Sequence, residues 1–141
     1  MTRKVLLTGS SRGIGKAIFD ELTTLKKYEI IAPKRSEMDL SCLESVDRFM
    51  SKHKDIDIII NNAGINILSD IESISDSNIE IMQKVNLSMP LKIIQHAVPH
   101  MKKNKFGRII NISSIWGIRS KEHRTLYSIT KFGINGLMGH T

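Results

Sequence analysis

The chain has 141 residues, 40% of them hydrophobic and few aromatic, which limits it to a single domain and excludes a fibrous or low-complexity protein. Its net charge is +7, from 21 basic and 14 acidic side chains, but the basic residues are scattered over separate connections without interleaved aromatic residues. A solvated surface accounts for them, so nucleic acid is not a predicted partner.

The sequence lacks the features of a secreted or membrane protein, of a disulfide-bonded protein and of a metal-binding protein. No apolar window is long enough for a signal peptide or a membrane span, which favours a cytoplasmic protein that does not act at a membrane. The one cysteine, Cys42, has no second thiol with which to form an internal disulfide or a metal cluster. His96 and His100 are four residues apart, but a metal site needs further ligands, so no metal is predicted.

The first predicted elements are a strand and a helix joined by a glycine-rich turn. The apolar run Lys4–Thr8 predicts a buried parallel strand. Helical spacing follows in Ile14, Ile18, Leu22 and Leu25. The turn between them contains Gly9, Ser11, Arg12, Gly13 and Gly15. Such a turn binds phosphate, because glycines let the ligand approach the backbone and the helix N-terminus presents free N–H groups. We predict the pyrophosphate of a dinucleotide as the ligand; a connection that serves only packing is the alternative.

The second strand predicts which dinucleotide is bound. Tyr28–Ala32 has the β-forming residues of a strand that returns after the helix, and Pro33, Lys34 and Arg35 follow it. An acidic residue at this position would take the ribose hydroxyls of NAD, whereas a basic one can meet the 2′-phosphate of NADP. Because Arg12 is also nearby, NADP(H) is the preferred cofactor and NAD(H) the alternative.

The next segment is unusually compact. Arg35 to Leu40 is too short for a full helix, which predicts either a short third strand or a loop. A helix is predicted after it, over Leu43–Phe49. Asp39 and Ser41 stand in the N-terminal region of that helix, so Asp39 has a purely structural interpretation beside any role in binding.

A central strand is predicted over Asp55–Ile60, an isoleucine-rich run typical of a strand buried on both faces. It leads into Asn61, Asn62, Ala63 and Gly64. The carboxyl ends of parallel strands are where such sheets bind ligands, and small residues at that place leave room for one. Taken alone, the same four residues would also fit an ordinary turn.

A long helix is predicted over Ser77–Met101, and Pro90 should bend it because proline cannot donate to the carbonyl four residues earlier. Asn86 lies in the middle of this helix. Asparagine is an indifferent helix former, which supports a role beyond packing. The apolar face of the helix is predicted to contain Met82, Val85, Met89, Ile93, Ala97 and Met101.

The last strand and helix carry a serine, a tyrosine and a lysine. The predicted strand Gly107–Ser113 is followed by Ser114, and Tyr127 and Lys131 come later, four residues apart. On a helix this spacing places the lysine one turn from the tyrosine on the same face. An ammonium beside a phenol favours the phenolate, so the pair could act as a general acid or base near neutral pH.

These motifs resemble those of the short-chain dehydrogenase/reductase family, of the classical type. The resemblance rests on Gly-x3-Gly-x-Gly after a strand, on Asn-Asn-Ala-Gly at a strand end, and on Tyr-x-x-x-Lys thirteen residues after Ser114. It implies an α/β fold, a Rossmann-type doubly wound parallel sheet in three αβα layers. It also implies an oxidoreductase that transfers hydride between NADP(H) and a small-molecule carbonyl or alcohol.

The resemblance assigns catalytic roles. Ser114 and Tyr127 would hydrogen bond to the substrate oxygen, and Tyr127 would transfer the proton. Lys131 would act on Tyr127 and bind the nicotinamide ribose, while Asn86 would hold a water that connects the lysine to solvent. The implied catalytic set is Asn86, Ser114, Tyr127 and Lys131.

The resemblance also assigns cofactor contacts. Asp39 would meet the adenine amino group with Leu40 beside it, Asn61 would tie the sheet together, and the backbone at Ala63 and Gly64 would lie against a ribose. The full implied set is Gly9, Ser11, Arg12, Gly13, Ile14, Gly15, Arg35, Asp39, Leu40, Asn61, Ala63, Gly64, Tyr127 and Lys131.

The sequence stops at Thr141, where a complete member of that family continues with further strands, helices and substrate loops. Residues 1–141 are therefore expected to be a C-terminally truncated Rossmann domain, a fragment in which Ile134, Leu137 and Met138 expose an apolar stripe. The full-length form is expected to be a homodimer or homotetramer. A nucleotide-binding or assembly remnant without turnover and a basic nucleic-acid-binding protein are the alternatives.

The substrate is indicated only weakly. Arg119, Lys121 and Arg124 lie between the serine and the tyrosine and could attract an anionic substrate. Trp116, two residues after Ser114, either lines the substrate pocket or packs in the fold.

Overall fold

A parallel sheet of four strands lies at the centre of the computed structural model, which describes residues 2–137. The strands are β1 (Arg3–Leu7), β2 (Tyr28–Ile31), β3 (Ile58–Asn61) and β4 (Arg108–Asn111). Their order across the sheet is β2-β1-β3-β4, and each neighbouring pair is parallel. The chain therefore places β2 on one side of β1, and then crosses to the other side of β1 to add β3 and β4. This reversal is the topological switch point of a Rossmann-type sheet, and it lies between β1 and β3.

Within residues 2–137, five α-helices cover the sheet and its loops: α1 (Gly13–Leu25), α2 (Leu43–Lys52), α3 (Asp76–Gln83), α4 (Met89–Lys103) and α5 (Thr125–Asn135). A π-helical turn, Lys84–Ser88, joins α3 to α4 where the sequence predicts one bent helix. It directly precedes α4, and Pro90 stands in the first turn of that helix. The apolar face predicted for this region is buried throughout. No helix of residues 2–137 has the length and apolar character needed to cross a membrane.

The helices form two layers because alternate strand side chains point to opposite faces of the sheet. Val5 and Leu7 of β1 pack with Ile60 in a smaller cluster against α1. Leu6 and Ile59 belong to the larger core, which also contains buried residues of α2 and α4. The predicted three-layer αβα architecture is thus confirmed.

Ile14 is 62% exposed in the first turn of α1, while Ile18 and Leu22 pack against the smaller cluster. One prediction of exposure was wrong. Ile134 was expected to be exposed and is only 2% exposed, and Leu137 packs partly against the larger core. Their partners come from within the chain, because α5 packs against α3 and the π-helical turn. Met138 lies outside the described residues.

The compact segment after β2 is a loop and forms no third strand. The Lys34 carbonyl accepts hydrogen bonds from the backbone N–H groups of Glu37 and Met38, at 2.9 and 3.0 Å. The chain then turns inward, so that Met38 and Leu40 are buried in the larger core.

The two histidines of α4 are explained by structure. His96 Nε2 lies 2.8 Å from Asp47 Oδ1 on α2, and His100 Nε2 lies 3.4 Å from Asp57 Oδ1 just before β3. They tie α4 to its neighbours. Within residues 2–137 there is no group of three or more side chains placed to hold a metal ion.

The core at β3 yields a stability prediction. Ile59 is fully buried, so Ile59→Ala should lower the free energy of unfolding by about 2–5 kcal/mol, measured by urea denaturation. Ile71→Ala removes the same atoms from a residue that is 70% exposed. This control should change the free energy of unfolding by less than about 0.5 kcal/mol. Equal effects of the two substitutions would contradict the described core.

Candidate active site

The glycine-rich turn after β1 leaves the N-terminus of α1 open. A Cβ at Gly15 would collide with the carbonyl oxygen of Gly9, so the turn can close only with glycine there. A Cβ at Gly13 would meet no atom within 4 Å, so the space above the helix is free. No side chain caps α1, and its first turn holds no acidic residue. Its first N–H groups and positive dipole end are thus available to an anion, and Ser11 and Arg12 are exposed beside them.

The turns after β1 and β3 are fastened to each other. Thr8 Oγ1 accepts the backbone N–H groups of Asn62 and Ala63, both at 3.1 Å. Asn62 Nδ2 donates in return to the carbonyls of Thr8 and Gly9, at 3.1 and 3.0 Å. Sequence reasoning missed Thr8 and Asn62 as positioning residues. Both stand inside the recognised motifs, but a motif does not say which of its members pair.

Asn61 joins the two strands on the other side of the switch point. It is buried, and its Nδ2 donates to Asn111 Oδ1 at 2.9 Å. Its backbone carbonyl accepts the N–H of Ile112 at 2.9 Å. The ends of β3 and β4 are therefore fixed relative to each other, which is the structural function the resemblance implied for this residue.

Asn86 connects three segments from the π-helical turn. It is 2% exposed, and its side chain bonds both backbone groups of Ile65, each at 2.8 Å. Its Nδ2 also donates to Thr130 Oγ1 on α5, at 3.1 Å. The side-chain amide is thus used for positioning. Thr130 is a residue that no sequence signal identified, because its importance lies in this one contact.

Lys131 stands at the centre of the site. Its Nζ donates to the Ile112 carbonyl at 2.7 Å, and the residue is only 5% exposed. Burial lowers the pKa of its ammonium below the ordinary value. A Cβ at Gly64 would lie 3.7 Å from this Nζ, so the amine stands directly over the turn after β3. It is 5.6 Å from the centre of the Tyr127 ring.

The two serines after β4 have different surroundings. Ser113 Oγ donates to the Lys131 carbonyl at 3.2 Å. It lies against Gly117, where a Cβ would come within 2.7 Å of Ser113 Oγ. Ser114 Oγ accepts the Trp116 N–H at 3.2 Å, and its hydroxyl hydrogen has no acceptor among the described residues. Ser114 is therefore the serine that is able to donate to a substrate.

The residues expected to contact adenosine lie at the other end of the cleft. Arg35 is 80% exposed, and its Nε lies 3.2 Å from Asp39 Oδ2. Asp39 Oδ1 accepts the hydroxyl and backbone N–H of Ser41, at 2.7 and 2.8 Å. These bonds from Ser41, with Arg35 beside them, hold the pKa of the Asp39 carboxyl below its usual range. The Asp39 carboxylate thus holds the loop before α2 through Ser41 and does not cap that helix, whose N-cap is Cys42, while the side chain of Leu40 is in the core.

The cleft is the row of residues along the carboxyl edge of the sheet, from the open N-terminus of α1 past Gly64 to the buried amine of Lys131. Its chemistry suits the two ends of a dinucleotide. An anion fits the first end, because the N–H groups there are free and no side chain occupies the space above Gly13. A hydroxylated sugar fits the second, where an amine faces a position without a side chain.

Comparisons with known proteins decide the family. A family model described as short chain dehydrogenase matches residues 35–141. The chain belongs to the short-chain dehydrogenase/reductase family. The 3-ketodihydrosphingosine reductase of Bacteroides thetaiotaomicron is 29% identical to it, over 94% of this chain and 54% of that protein. The chain thus spans about half the length of that curated relative.

Solved structures of this family have the same fold. A metagenomic short-chain oxidoreductase in complex with NADP superposes with a TM-score of 0.89 at 27% identity, covering 96% of this chain and 72% of that one. A 4-hydroxyisoleucine dehydrogenase complexed with NADH and succinate superposes with a TM-score of 0.86 at 26% identity, covering 94% and 68%. These relatives support a nicotinamide cofactor, and between them they include both forms of it.

The buried lysine yields a prediction about pH. Because the pKa of Lys131 is lowered on folding, the native state releases this proton at a lower pH than the unfolded chain does. The contribution of Lys131 to stability should therefore rise with pH, from its lowered pKa in the native state up to the ordinary lysine pKa of 10.5.

We expect the free energy of unfolding of the wild-type full-length protein to increase with pH in this range relative to Lys131→Met, measured by urea denaturation at a series of pH values. The difference between the two proteins isolates this group from the other titrating lysines. Parallel pH profiles would contradict the described burial.

Proposed function

We propose that residues 1–141 form the cofactor-binding and catalytic portion of an NADP(H)-preferring reductase that transfers hydride between the nicotinamide and a carbonyl or alcohol. The observation that carries this proposal is the position of Lys131, whose buried amine is held by the Ile112 carbonyl above Gly64 and one helical turn from Tyr127. A buried amine next to a phenol, at the carboxyl edge of a parallel sheet, is suited to proton transfer.

The cofactor contacts follow from the cleft. The N–H groups at Gly13 and Ile14, where α1 begins without a side-chain cap, would hold the pyrophosphate. Arg12 and Arg35 are exposed at the adenosine end, so their charges are available to a 2′-phosphate, which favours NADP over NAD. The remaining contacts of this proposal are Gly9, Ser11, Gly15, Asp39, Leu40, Asn61, Ala63, Gly64, Tyr127 and Lys131.

The chain's own residues manage the proton and the carbonyl oxygen. Bound NADPH supplies the hydride. Ser114 donates a hydrogen bond to the substrate oxygen, and Tyr127 donates the proton that this oxygen takes up as negative charge develops on it. Lys131 orients and polarises the phenol. The reverse reaction uses the same groups to oxidise an alcohol.

Asn86 acts through its backbone in this proposal. Its side chain is occupied by Ile65 and Thr130. The residue four positions later is Pro90, which has no N–H to donate to the Asn86 carbonyl. In this proposal the Asn86 carbonyl accepts a water on the proton path to Lys131.

The proton donor is tested by Tyr127→Phe in the full-length protein. We expect kcat to fall by about a hundredfold or more with any carbonyl compound that the wild type reduces, because the phenol proton is lost, while NADPH affinity is unchanged. Turnover is followed by NADPH absorbance and affinity by calorimetry.

Tyr28→Phe is the matched control, because Tyr28 is the other tyrosine of these 141 residues and lies in β2, paired with Arg3 of β1. It should leave both quantities unchanged. If Tyr127→Phe retained full turnover, the assignment of the proton donor would be wrong.

A further inference from the structure

Two cations converge on one aromatic ring in the segment after Ser114. Lys121 Nζ lies 5.6 Å and Arg124 Cζ 5.9 Å from the centre of the Trp116 ring. Neither cation forms an ion pair with an acidic side chain of residues 2–137. Both positive charges lie within about 6 Å of the same ring centre, so an anion bound against this ring is attracted by both.

Both ends of this segment are attached to residues of the proposed active site. The backbone N–H of Trp116 donates to Ser114 Oγ at 3.2 Å, which fixes the ring's backbone to the serine. Arg124 immediately precedes α5, three residues before Tyr127. The residues that would bind an anion therefore belong to the same short segment as Ser114 and Tyr127, the two side chains proposed to contact the substrate carbonyl.

The backbone that leads into Arg124 is fixed by a second loop. His123 has φ +59°, and its carbonyl accepts the Ser69 N–H at 3.1 Å, while its Nδ1 lies 2.6 Å from Asp70 Oδ1. The two other non-glycine residues with positive φ among those described are Lys26 and Lys105, which stand at the ends of helices, where this conformation is common. His123 is not at the C-terminal end of a helix, so its positive φ is unfavourable. Its bonds to Ser69 and Asp70, in the loop after β3, hold that conformation in place.

We propose that Lys121 and Arg124, with Trp116 as an apolar wall, bind the carboxylate of the substrate, so that the substrate is an oxo acid. This inference rests on the proposed reductase function and names its substrate class. A guanidinium and an ammonium together match a carboxylate, whose two oxygens accept from both. In the reaction the C=O double bond becomes single, the carbon gains hydride from NADPH and the oxygen gains the Tyr127 proton. The products are a hydroxy acid and NADP⁺, and the carboxylate is unchanged.

The first test compares acids with their neutral esters in the full-length protein. Pyruvate, acetoacetate and levulinate are each assayed beside the methyl ester, with NADPH. The best acid should exceed its ester by about tenfold or more in kcat/KM, because one charged hydrogen bond is worth that much. Lys121→Met and Arg124→Gln should each remove about this factor, mainly through KM, and leave the ester unaffected.

Arg108→Gln is the matched control. Arg108 also stacks on an aromatic ring, 5.0 Å from the centre of Phe106, but it lies at the start of β4, at the edge of the sheet opposite the cleft. This variant should leave acids and esters unchanged. If acids and esters are reduced equally, or if the Lys121 and Arg124 substitutions affect both equally, the carboxylate site is wrong while the reductase function stands.

A binding measurement decides the inference without turnover. Butyrate, an acid with no carbonyl to reduce, is titrated calorimetrically into the NADP⁺-loaded protein. We expect binding that the combined Lys121→Met and Arg124→Gln substitution abolishes. Absence of binding, or binding that survives both substitutions, overturns the carboxylate site. A protein that binds NADPH and butyrate but reduces none of the six compounds contradicts the proposed reductase function and leaves the carboxylate site in place.

Discussion

The buried amine of Lys131 is the constraint on which the site depends. An amine removed from water needs a hydrogen-bond partner, and the Ile112 carbonyl just beyond β4 provides it. The bond attaches α5 to the sheet at one point. Two further bonds hold α5: Ser113 Oγ donates to the backbone carbonyl of Lys131, and the side-chain Nδ2 of Asn135 donates to the Gly117 carbonyl. The helix that carries the phenol is therefore positioned by the end of a central strand.

The other side of the cleft is organised by amide side chains. Asn61 and Asn62 are adjacent in sequence and bond in opposite directions. Asn61 donates to Asn111 at the end of β4, and Asn62 donates to the turn after β1. Asn86 does the same between the loop at Ile65 and α5. Asparagine suits this role because its side chain both donates and accepts. The result is a rim of loops that is assembled before any cofactor binds, which lowers the entropy that binding must overcome.

The local sequence pattern was enough to predict the strands, helices and motifs. Which side chains are buried depends on long-range packing, which the pattern does not show. The isoleucine-rich run identified β3, because a buried parallel strand needs no alternation of polar and apolar residues. The spacing from Tyr127 selected Ser114, and the hydrogen bond of Ser113 to α5 explains physically why the neighbouring serine differs. The exposure of Ile134 was predicted wrongly, because helical spacing defines an apolar stripe without showing which element packs against it.

The contacts that sequence reasoning missed are those that join distant segments. Thr8 pairs with residues more than fifty positions later, and Thr130 meets an amide 44 positions earlier. Nothing in the local sequence of either threonine distinguishes it from a packing residue. The π-helical turn before Pro90 belongs to the same class, because proline signals a disturbance of the helix and the surrounding packing decides its form.

The central claim is that one cleft, from the N-terminus of α1 to Lys131, binds a nicotinamide dinucleotide. A crystal structure of the full-length protein grown with NADP⁺ tests it most directly. We expect the pyrophosphate at the N–H groups of Gly13 and Ile14, and a ribose hydroxyl within hydrogen-bond distance of Lys131 Nζ. A cofactor bound elsewhere, or a cleft that stays empty with NADP⁺ in millimolar excess, would contradict the claim.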